Sequence, residues 1–250
     1  MDSPERNYRL LHREEDLVHF RVAVKETDLD VGVRKERFSP ELVKLTEKLV
    51  MVYREQLERY IQADPRFLKA LMPYAIEPHA PPLAAVMAEA AAAAGVGPMA
   101  AVAGAMSEAV GRELLKHSRD VIVENGGDIF LRTRRVRRIG IFAGNSPLSY
   151  RIALEIRPED TPAGICTSSG TVGHSLSFGC ADAVIIVSPS APLADAVATA
   201  AGNIIRSPGD LEAAVDLALS VPGISGALAI QGKHMAAKGK IKLVPLAFEK

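Results

Sequence analysis

Residues 166–204 read CTSSGTVGHSLSFGCADAVIIVSPSAPLADAVATAAGNI. A serine, threonine and glycine turn comes first, then the apolar run Ala183–Val187, then a helix of small residues opened by Pro192. The helix carries one acid, Asp195, and one hydroxyl, Thr199. A spacing of four puts both side chains on one helix face. On a helix otherwise built of Ala, Val and Leu, that pair needs a polar partner. A hard cation such as Mg²⁺ is one candidate, because it prefers oxygen ligands. The alternative is local: Asp195 answers the dipole at the start of its own helix, and Thr199 bonds back to a carbonyl.

The composition frames this stretch. Of 250 residues, 48% are hydrophobic, so a substantial core can form, while aromatic residues are scarce and Trp is absent. Small side chains must therefore do most of the close packing. Thirty basic and thirty acidic residues cancel, which argues against a general attraction to nucleic acid or to a membrane surface. No uncharged apolar run reaches the length of a membrane span, since Gly95, Gly97 and Pro98 break the alanine-rich tract. Cys166 and Cys180 form no CxxC motif, and the first residues are polar and charged. Together these predict a reducing, cytoplasmic setting.

Upstream, Phe20, Val22 and Val24 alternate as on a strand, ETDLD reads as a turn, and VGVRK as the return strand of a hairpin. Ser39-Pro40-Glu41 opens a helix running to about residue 62. Prolines then hold residues 64–82 to a connector, which includes His79. LAAVMAEAAAAA (83–94) is a helix stopped by Gly95, and a second helix runs from Met99 to about His117. Its glycine-preceded start can bind an anion through free N–H groups or form a tight helix corner. Val121–Val123 and Ile129–Leu131 read as one strand interrupted at Asn125-Gly126-Gly127-Asp128, a bulge or a close ligand approach. Five arginines between Arg132 and Arg138 can hold phosphates or form a solvated hairpin tip. Beyond the opening stretch, Asp210 is read as the cap of a helix to about Ser220. Ala227–Ile230 and Ile241–Leu246 are read as a strand pair around GKHMAAKGK. The two halves of the chain look related in plan, each setting a small-residue helix beside strands.

Three segments together resemble one family. VENGGDI resembles the Asn-Ala-Gly-Gly-Asp segment of ApbE-type FAD:protein FMN transferases, ICTSSG their Thr-Ser-Gly turn, and VSPSAPLADAVATA their Pro-Ser-x-x-x-Ala-Asp-Ala-x-Ala-Thr-Ala helix. Order and spacing match over about residues 96–230. The resemblance implies a single domain over 1–250, with a hairpin and helix in 1–80 and an ApbE-like core in 83–250. Its fold is α+β and T-fold-like, with antiparallel sheets carrying helices on one side. It also implies Mg²⁺ held by Asp195 and Thr199 with a backbone oxygen, and FAD as ligand or substrate, FMN passing to a protein acceptor. By the same resemblance Asn125, Gly126, Gly127 and Asp128 are structural or flavin-proximal, and Thr167, Ser168, Ser169 and Gly170 form the turn beside the site. His174 sits near the motif and is counted with the cofactor-binding set; a packing role is its alternative, as for Cys166.

The match is uneven. At the family's Asp-x-Gly-Gly-x-Ala-Lys-Gly stretch, Gly97 stands at the acid position and Ala103 at the lysine position, and the His-x-x-Asp-Pro segment lacks its Asp-Pro. Three readings follow. One is a Mg²⁺-dependent enzyme acting on FAD or a related pyrophosphate nucleotide. Another is a family member that binds a flavin, a nucleotide or another anionic small molecule without transforming it. The third is a scaffold or homo-oligomer component in which the helix pair is merely packed.

Overall fold

The computed structural model describes residues 15–170 and 178–246. Strands β1 (Leu17–Val24) and β2 (Thr27–Arg34) form the expected hairpin. Its turn is only Lys25-Glu26, and the rest of the ETDLD segment lies in β2, where Leu29 is wholly buried. Helix α1 (Pro40–Ala63) starts as its residues direct, the Ser39 side chain accepting from the Leu42 N–H. The proline-rich connector is helical only over α2 (Pro65–Lys69). Helix α3 (Pro82–Ala94) ends where Gly95 takes a left-handed conformation, φ 71°.

The next helix begins differently from the expectation. A 3₁₀ turn over Pro98–Ala101 precedes α4 (Val102–Leu114), and the chain bends by 104° between α3 and this unit. A Cβ on Gly97 would lie 1.7 Å from the Ala70 carbonyl oxygen. Gly97 therefore lets the proline-rich connector lie against the start of this turn. Among the described residues no single helix is long and apolar enough to cross a membrane.

Asn125-Gly126-Gly127-Asp128 is a hairpin turn, which corrects the reading of one interrupted strand. Strands β3 (Val121–Asn125) and β4 (Asp128–Arg132) pair antiparallel across it. Gly126 and Gly127 take φ of 68° and 106°, the positive values that a two-residue hairpin loop requires. After β4 the chain leaves the sheet for β5 (Arg137–Gly140) and β6 (Ile152–Ile156). It returns as β7 (Ala163–Ser168) and β8 (Ala183–Ser188). Helices α5 (Ala191–Ile204) and α6 (Leu211–Ser220) precede β9 (Gly226–Gln231). GKHMAAKGK is not a plain turn: it holds β10 (His234–Gly239), which pairs with β9. The last strand, β11 (Leu243–Pro245), joins β6 instead. Asp210 stands at the N-cap of α6 as expected, but its side chain bonds back to Ser207, with which it forms a capping box over the 3₁₀ turn Pro208–Asp210.

These strands make three layers. An eight-stranded antiparallel sheet runs in the order β1-β2-β3-β4-β7-β8-β9-β10. Helices cover one face; a three-stranded sheet, β11-β6-β5, lies on the other. Ile122, Leu131, Ile165 and Leu228 of the large sheet meet Ile139, Leu154 and Ile156 of the small one. The arrangement is the expected α+β fold with helices on one side of a large antiparallel sheet. The chain repeats one plan twice: a hairpin, helices, then a second hairpin, with β4 and β7 joining the halves.

The arginine run splits. Arg134, Arg135 and Arg138 are exposed, but Arg137 is 2% exposed and grips Asp16 through two bonds of 2.6 and 2.8 Å. This pairing holds the Asp16 carboxyl below its ordinary range. A hollow of about 430 Å³ beside it is lined by Glu15, Asp16 and residues 135–137. Arg137 is thus a buried strut, contrary to a uniformly solvated tip.

Backbones also approach closely where α5 lies on the sheet and on α4. A Cβ on Gly164 would come within 2.3 Å of the Ala191 Cα, and one on Gly104 within 2.5 Å of the Ala191 carbonyl oxygen. Helix propensity alone favours Ala over Gly at position 104 by about 1 kcal/mol. Packing predicts the opposite sign: Gly104→Ala should destabilise the protein by about 1–3 kcal/mol, read as a lower urea midpoint with an unchanged slope.

Candidate functional site

The site is built from five backbone segments at one end of the large sheet. Pairing of β4 with β7 brings the Gly126-Gly127 turn beside the end of β7; a Cβ on Gly127 would sit 3.9 Å from that of Thr167. Helix α5 runs along β7, with Ala191 against Gly164 and Gly202 near the Ser168 side chain. Helix α4 starts against the same turn. There the Asn125 amide donates to the Ala103 carbonyl at 3.4 Å, and the Ser107 hydroxyl donates to the Asp128 carbonyl at 2.8 Å.

Asp195 meets this junction through the start of α4. Its Oδ2 accepts the Gly104 N–H at 2.9 Å, and the Ala103 N–H also bonds to the carboxylate. These are early N–H groups of a helix, which lack intrahelical acceptors. The helix start does bind an anion, and the anion is Asp195 itself. The local reading of Asp195 does not describe this, since the dipole it answers belongs to another helix. Glu108 of α4 answers in kind, accepting the Ala191 N–H at the start of α5 at 2.7 Å. Each helix thus caps the other.

Burial pushes the Asp195 carboxyl up to about 7, against the downward pull of its two backbone N–H bonds. Asp128 is also buried, and burial followed by the nearby Asp195 charge holds it well above the carboxylate range. The Thr167 N–H donates to Asp128 Oδ1 at 3.3 Å. Glu124 completes the acidic set; its Oε1 accepts the Gly127 N–H at 2.7 Å, fixing the turn. Burial and these acids keep the Cys166 thiol protonated, its S–H pointing at the Ala191 carbonyl oxygen 3.3 Å away, so Cys166 packs and is not poised as a nucleophile. Among the described residues no Lys or Arg pairs with Asp128 or Asp195.

The structure therefore gathers Asn125, Gly126, Gly127, Asp128, Thr167 and Ser168 around the Asp195 face of α5. Thr199 lies one turn beyond Asp195, partly exposed. Ser169 and Gly170 continue from β7, and the Gly170 N–H donates to the Ala181 carbonyl at 2.9 Å. His174 lies outside the described residues. Three participants were not singled out from the sequence. Glu108 and Glu124 carried no local signal. Asn203 did: it extends the four-residue spacing of Asp195 and Thr199, and its Oδ1 accepts the Phe178 N–H at 2.9 Å.

The donor chemistry fits a hard cation. Every candidate ligand is an oxygen, and a buried Asp128 raised by burial and by the Asp195 charge beside it marks a place where positive charge is favoured. No three acidic, histidine or cysteine side chains form a ready cage among the described residues. Asp195 and Asp128 would suit Mg²⁺ as its one or two carboxylates, with the remaining positions left to water and phosphate.

Comparison with known proteins places this geometry. A UPF0280 protein of Methanococcus aeolicus is 36% identical over 230 residues, covering 90% of this chain and 91% of its own. One from Methanosphaerula palustris is 44% identical over 200 residues, covering 80% and 83%. Among solved structures, the flavinyl transferase ApbE of Pseudomonas stutzeri, in its apo form, aligns with a TM-score of 0.57 at 16% identity over 89% of this chain and 94% of its own. An ApbE protein of Thermotoga maritima aligns at 0.52 and 12% identity, covering 89% and 96%. These two share the fold. A family model described as AbpE bacteria matches residues 9–221, and the chain belongs to that family, alongside the UPF0280 proteins.

Proposed function

We propose that this protein is a Mg²⁺-dependent enzyme acting on FAD or a related pyrophosphate nucleotide, at the junction of α4, α5 and the Gly126-Gly127 turn. The observation that carries this reading is the pair of neighbouring acids, buried Asp128 and half-buried Asp195, joined without a basic partner among the described residues. The likeness in fold to a protein titled a flavinyl transferase supports the choice of ligand class. Mg²⁺ bound there would supply charge neutralisation and polarisation for a phosphoryl group. Asp195 and Thr199 would hold the ion from one face of α5. Asp128 is held well above the carboxylate range, first by burial and then by the Asp195 charge, so its charged form would be favoured by a cation beside it. The side-chain-free Gly126-Gly127 turn, with open space around Gly126, leaves room for a ligand to approach the backbone, and Thr167 to Gly170 border that space.

A second reading has its own observation. The N–H groups at the start of α4 are already taken by Asp195, and Gly97 is pressed against the Ala70 carbonyl of the connector. Both features favour a protein that holds a flavin or nucleotide without converting it. Incubating the protein with FAD and Mg²⁺, with and without candidate protein acceptors, separates the two. Release of AMP, abolished in Asp195→Ala, is the expected result for the enzyme. A rise in melting temperature with FAD, leaving the FAD intact, would mark the binder.

The charge state of Asp195 gives an independent check. Its carboxyl moves from the ordinary 3.8 to about 7 in the fold, so the folded state holds the proton that the unfolded chain has released. This contribution to stability is present below about pH 4 and is lost as pH rises towards 7. Asp195→Asn should therefore be more stable than the parent at about pH 8, with the difference vanishing near pH 4, in paired melting curves. Mg²⁺ should raise the melting temperature of the parent at the higher pH and leave Asp195→Asn unmoved.

A further inference from the structure

The two caps between α4 and α5 are alike in plan and unlike in charge. Asp195 accepts the Gly104 N–H at 2.9 Å, and Glu108 Oε2 accepts the Ala191 N–H at 2.7 Å. Gly104 and Glu108 are four residues apart on α4, and Ala191 and Asp195 are four apart on α5. The pairs run in opposite order, so the helices cross antiparallel here and are joined at two points ~6 Å apart along the axis. One bond would leave α5 free to swing about it. Two bonds fix both its rotation and its advance along α4.

Each acid has a partner position one turn further on. Four residues after Glu108 stands Arg112, whose Nε and Nη2 reach Glu108 Oε1 at 2.7 and 2.6 Å. Four residues after Asp195 stands Thr199, a neutral hydroxyl. Both Glu108 oxygens are thus engaged by the protein itself, one by a built-in cation and one by the start of α5. The Glu108 side chain is 13% exposed, and Arg112 in turn lies over the Phe130 ring at 5.8 Å. Gly111 presses on the same ring, since a Cβ there would lie 2.2 Å from Phe130 Cδ1. The place of Glu108 is therefore set from α4 and β4, and α5 is hung from it.

We infer that Glu108 is a positioning residue for Asp195: it holds the start of α5 so that the Asp195 carboxylate, one turn on, stays on the Gly104 N–H and beside Asp128. Its effect on Mg²⁺ rests on the reading of Asp195 given above; its effect on the Gly104 bond does not. Glu108 itself touches neither ion nor substrate. An ordinary cap steadies only its own helix end, whereas this one also decides where a second carboxylate lies.

The test titrates Mg²⁺ into the whole chain by calorimetry and follows hydrogen exchange of the Gly104 amide, in the parent, Glu108→Ala, Glu108→Gln and Ser39→Ala. Ser39→Ala removes an ordinary cap, that of α1. In Glu108→Ala the expected results are Mg²⁺ affinity lower by about tenfold and faster exchange at Gly104. A Gln side chain keeps an oxygen for the Ala191 N–H, so Glu108→Gln should return both to near the parent values. Ser39→Ala should melt earlier with neither readout changed. If Glu108→Ala does not fold, Glu108→Asp, which keeps the charge and withdraws it by one methylene, is expected to show the same two losses. Unchanged Gly104 exchange in Glu108→Ala, or in Glu108→Asp where that stands in for it, overturns the positioning role, as does an equal change in Ser39→Ala. A parent that binds no Mg²⁺ overturns the cation reading alone, and the exchange of Gly104 still decides the role of Glu108.

Discussion

The start of α4 needs an acceptor, and Asp195 is the acceptor it gets. Two backbone N–H groups converge on that carboxylate, and Glu108 returns the same service to the start of α5. The exchange only works if the helices nearly touch. A glycine at position 104 is what permits it, because a Cβ there would strike the Ala191 carbonyl and the Asp195 side chain. Much else follows from this contact. Cys166 is sealed beneath it, and α5 is fixed along β7 with Asp195 brought close to Asp128 of the hairpin turn. A single geometric demand, satisfying helix ends away from water, thus assembles the acids that make the place chemically distinctive.

The same contact explains why a helix rich in alanine suits this position. Ala191, Ala194, Ala198 and Ala201 are buried against sheet and neighbouring helices. Larger residues would hold α5 off the sheet and open the acid pair to solvent. A carboxyl in water has no reason to depart from its usual range; the small side chains are therefore part of the electrostatics as well as of the packing.

Much of the fold could be read from local signals. Ser39-Pro40, the stop at Gly95 and the apolar run of β8 each carry their instructions within a few residues, and the structure follows them. The hairpin at Gly126-Gly127 was also written locally, since two adjacent glycines between apolar runs suit a two-residue loop; reading them as a strand interruption overlooked that. Strand β10 is different. Ala236 and Ala237 between lysines give no alternation, and only the neighbouring β9 makes the segment extended. Arg137 is likewise beyond local reading, because its partner Asp16 lies 121 residues away. The site divides in the same manner. The spacing of Asp195 and Thr199 put both on one face, but nothing in the sequence points from Asp195 to a backbone N–H 91 residues earlier.

The doubled plan of the chain has a kinetic consequence. The two capping contacts join residues 91 and 83 positions apart, and they cross from one repeat to the other, as does the pairing of β4 with β7. Contacts of that range close large loops and form after the local hairpins and helices. Each repeat can organise its own strands early, but neither contains the site alone. The acids come together only when the seam has closed, so ligand affinity in this protein is a late property of the folding reaction. A ligand bound there would touch both repeats and so favour the closed seam.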